Sequence, residues 1–340
     1  MNIEWPLVFF TLLVGLGCGT FVCSVIVTEW WGRAEEVRVK SAILALIALA
    51  LGGFSSVLHL GHPERIFGAL GHPTSGIFIE STMIALVGLD IIIYLIALRR
   101  GADAAARKII TTVGAVLAVI LSFAVGYSYV VASRPAWDTL ILPFFYLVSA
   151  GVMGCFSLNA LIAGTERFSA AAKARGERNA MTAAAAEAAS PGAEGADLLT
   201  GEAGEVSAEA ARLHGPDAGA ALTETLNRSA LIILTVQAVL LIAYLVHLGL
   251  VPYPDVTRSA GRALTGNLAP LFWLGVVLPG FLIPAGLSLQ NILKRSKSSK
   301  ANGGISSFSL LNLGLLCILI GGASFRILMF SLGSSIIKFF

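Results

Sequence analysis

Eight long apolar runs constrain the fold of this chain more than any other feature of its sequence. Each run is about as long as, or longer than, the roughly 20 residues a helix needs to cross a bilayer core about 30 Å thick. A membrane β-barrel would instead show shorter segments of alternating polarity. The sequence therefore predicts an all-α, polytopic membrane protein with eight transmembrane helices. Its apolar runs lie near residues 6–28, 40–60, 76–98, 108–131, 139–164, 229–250, 268–291 and 305–333.

The composition agrees with this interpretation, because 56% of the 340 residues are hydrophobic and only 13% are charged. Ordinary soluble domains carry about 25% charged residues.

No basic residue precedes the first run, so we expect a retained helix there and not a cleaved signal peptide. We divide the chain into helices one to five (1–164), a flexible cytoplasmic loop rich in Ala, Gly and Glu (165–228), and helices six to eight (229–340).

Lysine and arginine are distributed unevenly among the connections, and their distribution predicts the orientation of the chain. If the N-terminus is outside, the connections after helices one, three, five and seven hold 17 of the 23 basic residues. The opposite side holds 5, and Arg326 lies within the eighth run. Because connections rich in Lys and Arg stay in the cytoplasm, both termini are expected outside.

The connection between the second and third runs has an unusual density of ionisable residues. It begins His59-Leu-Gly-His-Pro-Glu-Arg65, and Glu80 follows about one turn into the third run. At a rise of about 1.5 Å per residue, Glu80 lies on the order of 6 Å below the start of that helix. His59 and Glu80 are therefore expected at the outer membrane surface, near one level. Ionisable groups are costly in a bilayer, so their presence there needs a reason.

Two interpretations of this hairpin remain open from the residues alone. A histidine and a carboxylate at one level can hydrogen-bond a small polar head group and accept its protons, as quinol oxidation requires. Alternatively, His59 is an interfacial residue and Glu80 pairs with an arginine that packs between helices. Arg326, in the outer third of the eighth run, either pairs with Glu80 or lies beside a bound ligand. Arg65 either fixes the loop or lines the entrance to the site.

The sequence contains no recognisable set of redox ligands. The four cysteines all lie within apolar runs and form no Cys-x-x-Cys pair, so neither an iron–sulfur cluster nor another metal site is expected. A transmembrane chain of haems needs paired histidines on facing helices. Only His59 and His247 lie on helices, and both are at outer ends. A chain of haems is therefore not expected, and a single haem at the outer edge is the one arrangement that remains possible.

Polar residues in the middle of the apolar runs allow two other classes of function. Asp90 and Gln237 lie deep within their runs, and Pro279-Gly280 interrupts the seventh. A secondary transporter for a small anion or metabolite would use such residues and a broken helix at the midplane. A purely structural anchor would use them for packing between helices, which is their commoner role.

The hairpin resembles the membrane-anchor subunit of the anaerobic dimethyl sulfoxide reductase family. The resemblance covers most of the chain apart from 165–228, and it implies eight helices in the bacterial inner membrane with both ends outside. The residues that carry it are His59-Leu-Gly-x-Pro-x-Arg65, Leu70, Ser75, Glu80 and the opening Glu4-Trp-Pro-Leu-Val-Phe-Phe-Thr11.

The resemblance implies that the chain anchors a three-subunit molybdoenzyme and oxidises menaquinol as a bound substrate. His59 and Glu80 match the quinol-site residues of the family, and we expect Arg65 and Arg326 to complete the pocket. The family has no prosthetic group in this subunit. Its electrons pass to a ferredoxin-like iron–sulfur subunit with four clusters and then to a molybdopterin catalytic subunit. Membrane lipid is the other expected partner, and nucleic acid is not expected.

Overall fold

A computed structural model describes residues 4–59, 75–188, 216–297 and 304–333. Over these ranges the chain is helical and contains no β-strand. A π-helical turn (Ile26–Trp30) extends the first helix, and a π-helical segment (Leu271–Leu282) leads into the eighth. The helices are α1 (Trp5–Val25), α2 (Arg38–His59), α3 (Gly76–Arg99), α4 (Ala104–Tyr127), α5 (Ile141–Ala188), α6 (Pro216–Leu250), α7 (Pro254–Leu264), α8 (Ile283–Lys297) and α9 (Gly304–Leu332).

The described ranges contain eight spans long and apolar enough to cross a membrane, one for each helix except α7. The span of α8 includes the π-helical segment before it. These spans confirm the predicted all-α fold with eight transmembrane helices. Large apolar side chains such as Ile43 and Leu51 of α2 and Ile92 of α3 are exposed. Such surfaces fit a bilayer, whose hydrocarbon interior is as apolar as they are.

Helix α1 lies at the centre of the bundle. Its most apolar window is 83% buried, whereas the corresponding window of α3 is 22% buried. A helix that is hydrophobic on all sides is typical of such a central position. Gly19 of α1 faces Gly154 of α5, and a Cβ on either glycine would collide with the backbone of the other helix. These two glycines therefore let α1 and α5 approach backbone to backbone.

The seventh span is interrupted where the sequence places its proline and glycine residues. Pro279 lies inside the π-helical segment Leu271–Leu282. Proline has no N–H to donate, and its ring crowds the preceding turn, so a locally altered helix accommodates it. The adjacent Gly280 packs against α9, where a Cβ would lie 3.2 Å from the Cα of Gly321. The span then continues as α8.

The long connection predicted over 165–228 begins and ends as helix. α5 continues through Ala188, and side chains such as Phe168 and Met181 along this extension are exposed. Alanine and the long charged residues that dominate this stretch have high helix propensity, which explains why the helix continues past the apolar run. α6 begins at Pro216. Residues 189–215 lie outside the described ranges, so their flexibility stays a prediction.

Successive spans alternate in direction, so the helix ends form two groups. We call the group where α2 ends and α3 begins the Glu80 end. There the α4–α5 connection packs across α6 and α9. Trp137 Nε1 donates to the Met329 carbonyl at 3.0 Å, and His247 Nε2 lies 3.2 Å from the Pro135 carbonyl oxygen. The outward orientation of this end stays a prediction from the charge distribution.

Candidate functional site

Glu80 is held near the start of α3 by a helix cap. The Ser75 hydroxyl accepts the Phe78 N–H at 3.2 Å, which satisfies one of the free N–H groups of the first turn. Glu80 is only 8% exposed, and its Oε1 has no hydrogen-bond partner among the described residues. A buried carboxylate oxygen without a donor is costly. Glu80 therefore has an unused capacity to accept a hydrogen bond.

The Ser128 side chain, just after α4, does not fill this capacity. Its hydroxyl lies beside the Glu80 carboxyl, and it is also 3.0 Å from the Val125 carbonyl oxygen. A hydroxyl has one proton and serves one of these acceptors at a time. In either case Oε1 of Glu80 is without a donor among the residues that the structure describes.

The register of α2 against α3 places the end of α2 beside the first turns of α3. A Cβ on Gly53 would lie 3.6 Å from Ile84, and one on Gly88 would lie 3.8 Å from Leu46. These two contacts show that the helices run antiparallel. Continuing the same register to the end of α2 sets its last residue, His59, level with the first turns of α3. The backbone therefore agrees with the predicted level of His59.

The other two predicted residues of the hairpin site, His59 and Arg65, have no described side chain. For His59 only the backbone position is described. Arg65 lies in the 60–74 connection, which is not among the described residues. The contacts of Glu80 with these two residues stay predictions.

Arg326, on α9, is 1% exposed and is bound by neutral groups. Its Nε donates to the Thr11 hydroxyl at 2.8 Å, and its Nη2 donates to the Thr11 carbonyl at 3.1 Å. Its Nη1 donates to the Gly322 carbonyl at 2.8 Å. The guanidinium carbon lies 4.8 Å from the centre of the Tyr146 ring. The alternative in which Arg326 pairs with Glu80 is therefore not the arrangement found.

This environment leaves the charge of Arg326 without a carboxylate partner in the described part of the chain. A guanidinium has five N–H groups, and three are used here. The Tyr146 ring adds a cation–π contact but no negative charge. Buried charges are normally paired. Arg326 can therefore stabilise a negative charge brought by a ligand.

Four aromatic residues, Tyr129, Trp137, Tyr146 and Phe330, form what we call the aromatic cluster at the Glu80 end. The centre of the Tyr129 ring is 5.7 Å from Trp137, 6.0 Å from Tyr146 and 5.6 Å from Phe330. Trp137 and Phe330 are 5.8 Å apart. These separations lie in the range where aromatic pairs attract each other. The cluster joins the α4–α5 connection to α5 and α9.

The aromatic cluster lies near both buried charged residues, Glu80 and Arg326. Burial raises the pKa of Tyr129 well above its ordinary value, and the nearby Tyr146 hydroxyl and Glu80 carboxyl act in the same direction. The Arg326 guanidinium opposes them. The Glu4 carboxyl adds to the upward shift, so Tyr129 lies within electrostatic reach of Glu80, Glu4 and Arg326. Neither Tyr129 nor Tyr146 was expected from the sequence.

An ion-pair cluster at the opposite end of the bundle was also not expected. Glu29 lies in the π-helical turn after α1, and its side chain is 3% exposed. Its Oε1 is 2.7 Å from Arg38 Nε and accepts the Tyr94 hydroxyl at 2.6 Å. Its Oε2 is 3.6 Å from Arg107 Nε. This cluster ties the first four helices together: Arg38 and Arg107 share the Glu29 carboxylate, and Glu35 supplies a second carboxylate 3.3 Å from Arg38 Nη2.

The two polar residues at the midplane are buried separately. Asp90 is 9% exposed and lies against Gly114 of α4, where a Cβ would collide with its carboxylate. Gln237, on α6, is 7% exposed. One oxygen of each lacks a partner among the described residues. The same residues contain no group of three or more His, Cys, Asp and Glu side chains that is placed to hold a metal ion.

Within the described ranges, eight spans with α1 at their centre, and a buried carboxylate and a buried guanidinium at one end, define a polytopic helical membrane protein with an intramembrane polar site. The family model of the DMSO reductase anchor subunit (DmsC) matches residues 1–190. The chain belongs to this family, which confirms the resemblance seen in the hairpin. The family match gives no support to the transporter alternative.

One curated relative agrees with this assignment. The chain is similar to a chain of the anaerobic dimethyl sulfoxide reductase of Haemophilus influenzae, with 24% identity over 149 residues. The aligned segment is 42% of this chain and 53% of the relative. The match thus spans about half the length of that relative.

Proposed function

We propose that this chain is a quinol-oxidising membrane anchor that binds menaquinol at the Glu80 end. The family description, an anchor subunit of DMSO reductase, supports the anchor role. The observation that carries the quinol-oxidising role is Glu80. It is a buried carboxylate on a membrane span, and its Oε1 has no donor among the described residues. A quinol hydroxyl is a donor of the required kind.

Oxidation of a quinol requires one proton acceptor at each of its two hydroxyls. Menaquinol loses two protons and two electrons when it becomes menaquinone. A carboxylate in hydrogen-bond reach of the hydroxyl takes its proton as the electrons leave. Glu80 fills this role on our proposal, and His59, at the same level of the hairpin, is the second acceptor. Histidine suits this task because its ordinary pKa is near working pH.

The two arginines have supporting roles in this proposal. Deprotonation leaves negative charge on the quinol oxygen, and a fixed positive group nearby stabilises it. Arg326 is already held in place by Thr11 and Gly322, so it needs no rearrangement to act. Arg65 follows the end of α2 in the chain, and we assign it to the entrance of the site.

The electrons must leave for another protein. We propose that they pass to a ferredoxin-like iron–sulfur subunit with four clusters and then to a molybdopterin catalytic subunit. The curated relative is itself one chain of an anaerobic reductase, which supports a complex of several chains. The partner would dock over the Glu80 end, and the complex would lie in the bacterial inner membrane.

Glu80→Gln in the purified complex tests the proposal. This variant keeps the size of the side chain but cannot accept a proton. We expect reduction of dimethyl sulfoxide by a soluble menaquinol analogue to fall about 100-fold or more, the scale of a lost general base. Reduction by a viologen dye, which bypasses the quinol, should be unchanged. The partner subunits should still copurify.

Asp103→Asn is the matched control, because Asp103 is an exposed carboxylate at the end of the bundle opposite Glu80, and asparagine keeps the cap that it forms on α4. It should keep full activity with both donors. His59→Ala should resemble Glu80→Gln. Full quinol-dependent activity in both Glu80→Gln and His59→Ala would overturn the proposed site.

A further inference from the structure

Tyr129 differs from Trp137 and Tyr146 of the aromatic cluster in the hydrogen bonding of its polar group among the described residues. Trp137 Nε1 donates to the Met329 carbonyl at 3.0 Å, and the Tyr146 hydroxyl donates to Met329 Sδ at 3.6 Å. Tyr129 as a whole is only 9% exposed, and no hydrogen bond joins its hydroxyl to another described residue, yet that hydroxyl is not one of the fully buried polar atoms without a partner. Fully buried tyrosine hydroxyls usually find a partner inside the protein, whereas an accessible hydroxyl can find one outside it. The hydroxyl therefore has room for a partner from outside the protein.

The ring of Tyr129 is held in place by the other members of the aromatic cluster. Trp137 and Phe330 meet it edge-on at 5.7 Å and 5.6 Å, and Tyr146 stacks against it at 6.0 Å. Contacts with three rings leave a side chain little freedom to rotate. The hydroxyl is thus held in one place without a hydrogen bond of its own, which is how a preorganised ligand-binding group is built.

The position of Tyr129 in the chain places this residue near Glu80. Tyr129 directly follows Ser128, whose side chain lies beside the Glu80 carboxyl. The same serine packs against the start of α3, where a Cβ on Gly76 would lie 3.6 Å from the Ser128 Cβ. On its other side, Tyr129 stacks on Tyr146, which in turn carries the Arg326 guanidinium over its ring at 4.8 Å. Tyr129 therefore lies near both the Glu80 carboxylate and the Arg326 guanidinium.

We infer that Tyr129 is a quinol-binding residue, whose hydroxyl donates a hydrogen bond to the quinol oxygen that Glu80 deprotonates. This inference rests on the proposed function of Glu80. The O–H bond of the quinol breaks and its proton moves to the Glu80 carboxylate. The electron pair of that bond stays on the quinol oxygen. The Tyr129 O–H then stabilises the resulting anion, with the Arg326 charge behind the Tyr146 ring.

The environment of Tyr129 favours a donor and not a second base. Burial keeps the pKa of Tyr129 well above its ordinary value, so the hydroxyl retains its proton at working pH. A phenol that keeps its proton strengthens its hydrogen bond as charge develops on the acceptor. The contribution therefore appears as the anion forms, which is when it accelerates the reaction.

Tyr129→Phe in the purified complex tests this inference, because phenylalanine keeps the ring contacts and removes only the hydroxyl. We expect kcat/KM for the menaquinol analogue to fall about 10-fold to 100-fold, the size of one hydrogen bond to a charged group. Viologen-dependent activity and the melting temperature of the complex should be unchanged. A purely structural role would instead lower the melting temperature and leave kcat/KM intact.

Tyr127→Phe is the matched control. Tyr127 lies two residues earlier, is 55% exposed and stacks on Phe123 at 6.3 Å, outside the aromatic cluster. It should behave as the wild type. If Glu80→Gln abolishes quinol oxidation while Tyr129→Phe keeps the wild-type kcat/KM, this inference is wrong and the proposed function stands. If neither variant affects quinol oxidation, this inference is wrong together with the proposed role of Glu80 on which it rests.

Discussion

The Nε of Arg326 donates to the Thr11 hydroxyl at 2.8 Å and joins two residues 315 positions apart in the chain. The same hydroxyl lies 3.0 Å from the Leu7 carbonyl oxygen, to which it can donate its own proton. Thr11 thus uses both its donor and its acceptor capacity. This bond fixes the last span to the central α1 and aims a buried positive charge at the Glu80 end. It also explains why Arg326 does not turn toward Glu80.

Thr11→Val should destabilise the protein by about 1–3 kcal/mol, because it leaves a buried guanidinium N–H without its acceptor while conserving the shape of the side chain. Thermal unfolding in detergent measures the effect. Thr235→Val is the control, since Thr235 is exposed and its hydroxyl donates only to the Leu231 carbonyl at 2.8 Å. It should change stability by less than about 0.5 kcal/mol. Equal effects of the two variants would contradict the role assigned to Thr11.

The fold could be predicted from the sequence because its main determinant is local. A run of about 20 apolar residues defines a span without reference to any other part of the chain. The interruption near Pro279 was visible for the same reason, since proline removes an N–H wherever it occurs. The helical extension of α5 to Ala188 was not predicted. It depends on helix propensity, which is a weaker signal than hydropathy.

The residues of the site could be predicted only where their charge differs from the apolar sequence around them. Glu80 and Arg326 are conspicuous because charges inside apolar runs are rare. Tyr129 and Tyr146 are not, because an aromatic residue near an apolar run is most often a packing residue. Glu29 lies just past the predicted end of the first run, so it resembled a loop residue. The partners of all these residues come from distant helices, and no local pattern encodes such contacts.

Glu29→Gln should destabilise the protein by about 3–5 kcal/mol, because it leaves Arg38 and Arg107 close together without the buried negative charge they share. Glu35→Gln is the matched control on the same arginine. Glu35 is 59% exposed and 3.3 Å from Arg38 Nη2, so its loss should cost no more than about 1 kcal/mol. Thermal unfolding of the two variants in detergent gives the comparison. A Glu35→Gln effect as large as that of Glu29→Gln would show that burial does not set the strength of this cluster.

The orientation of the bundle follows from its charges and can be measured with reporter fusions. The short connection between α3 and α4 lies at the opposite end from Glu80, and four basic residues occur in or beside it. Alkaline phosphatase, which is active only outside the cytoplasm, should therefore be inactive when fused after Arg100 and active when fused after Phe340. A fluorescent protein that folds only in the cytoplasm should give the reciprocal pattern. The reverse result with both reporters would place Glu80 at the cytoplasmic face, and the protons taken from quinol would then leave on that side.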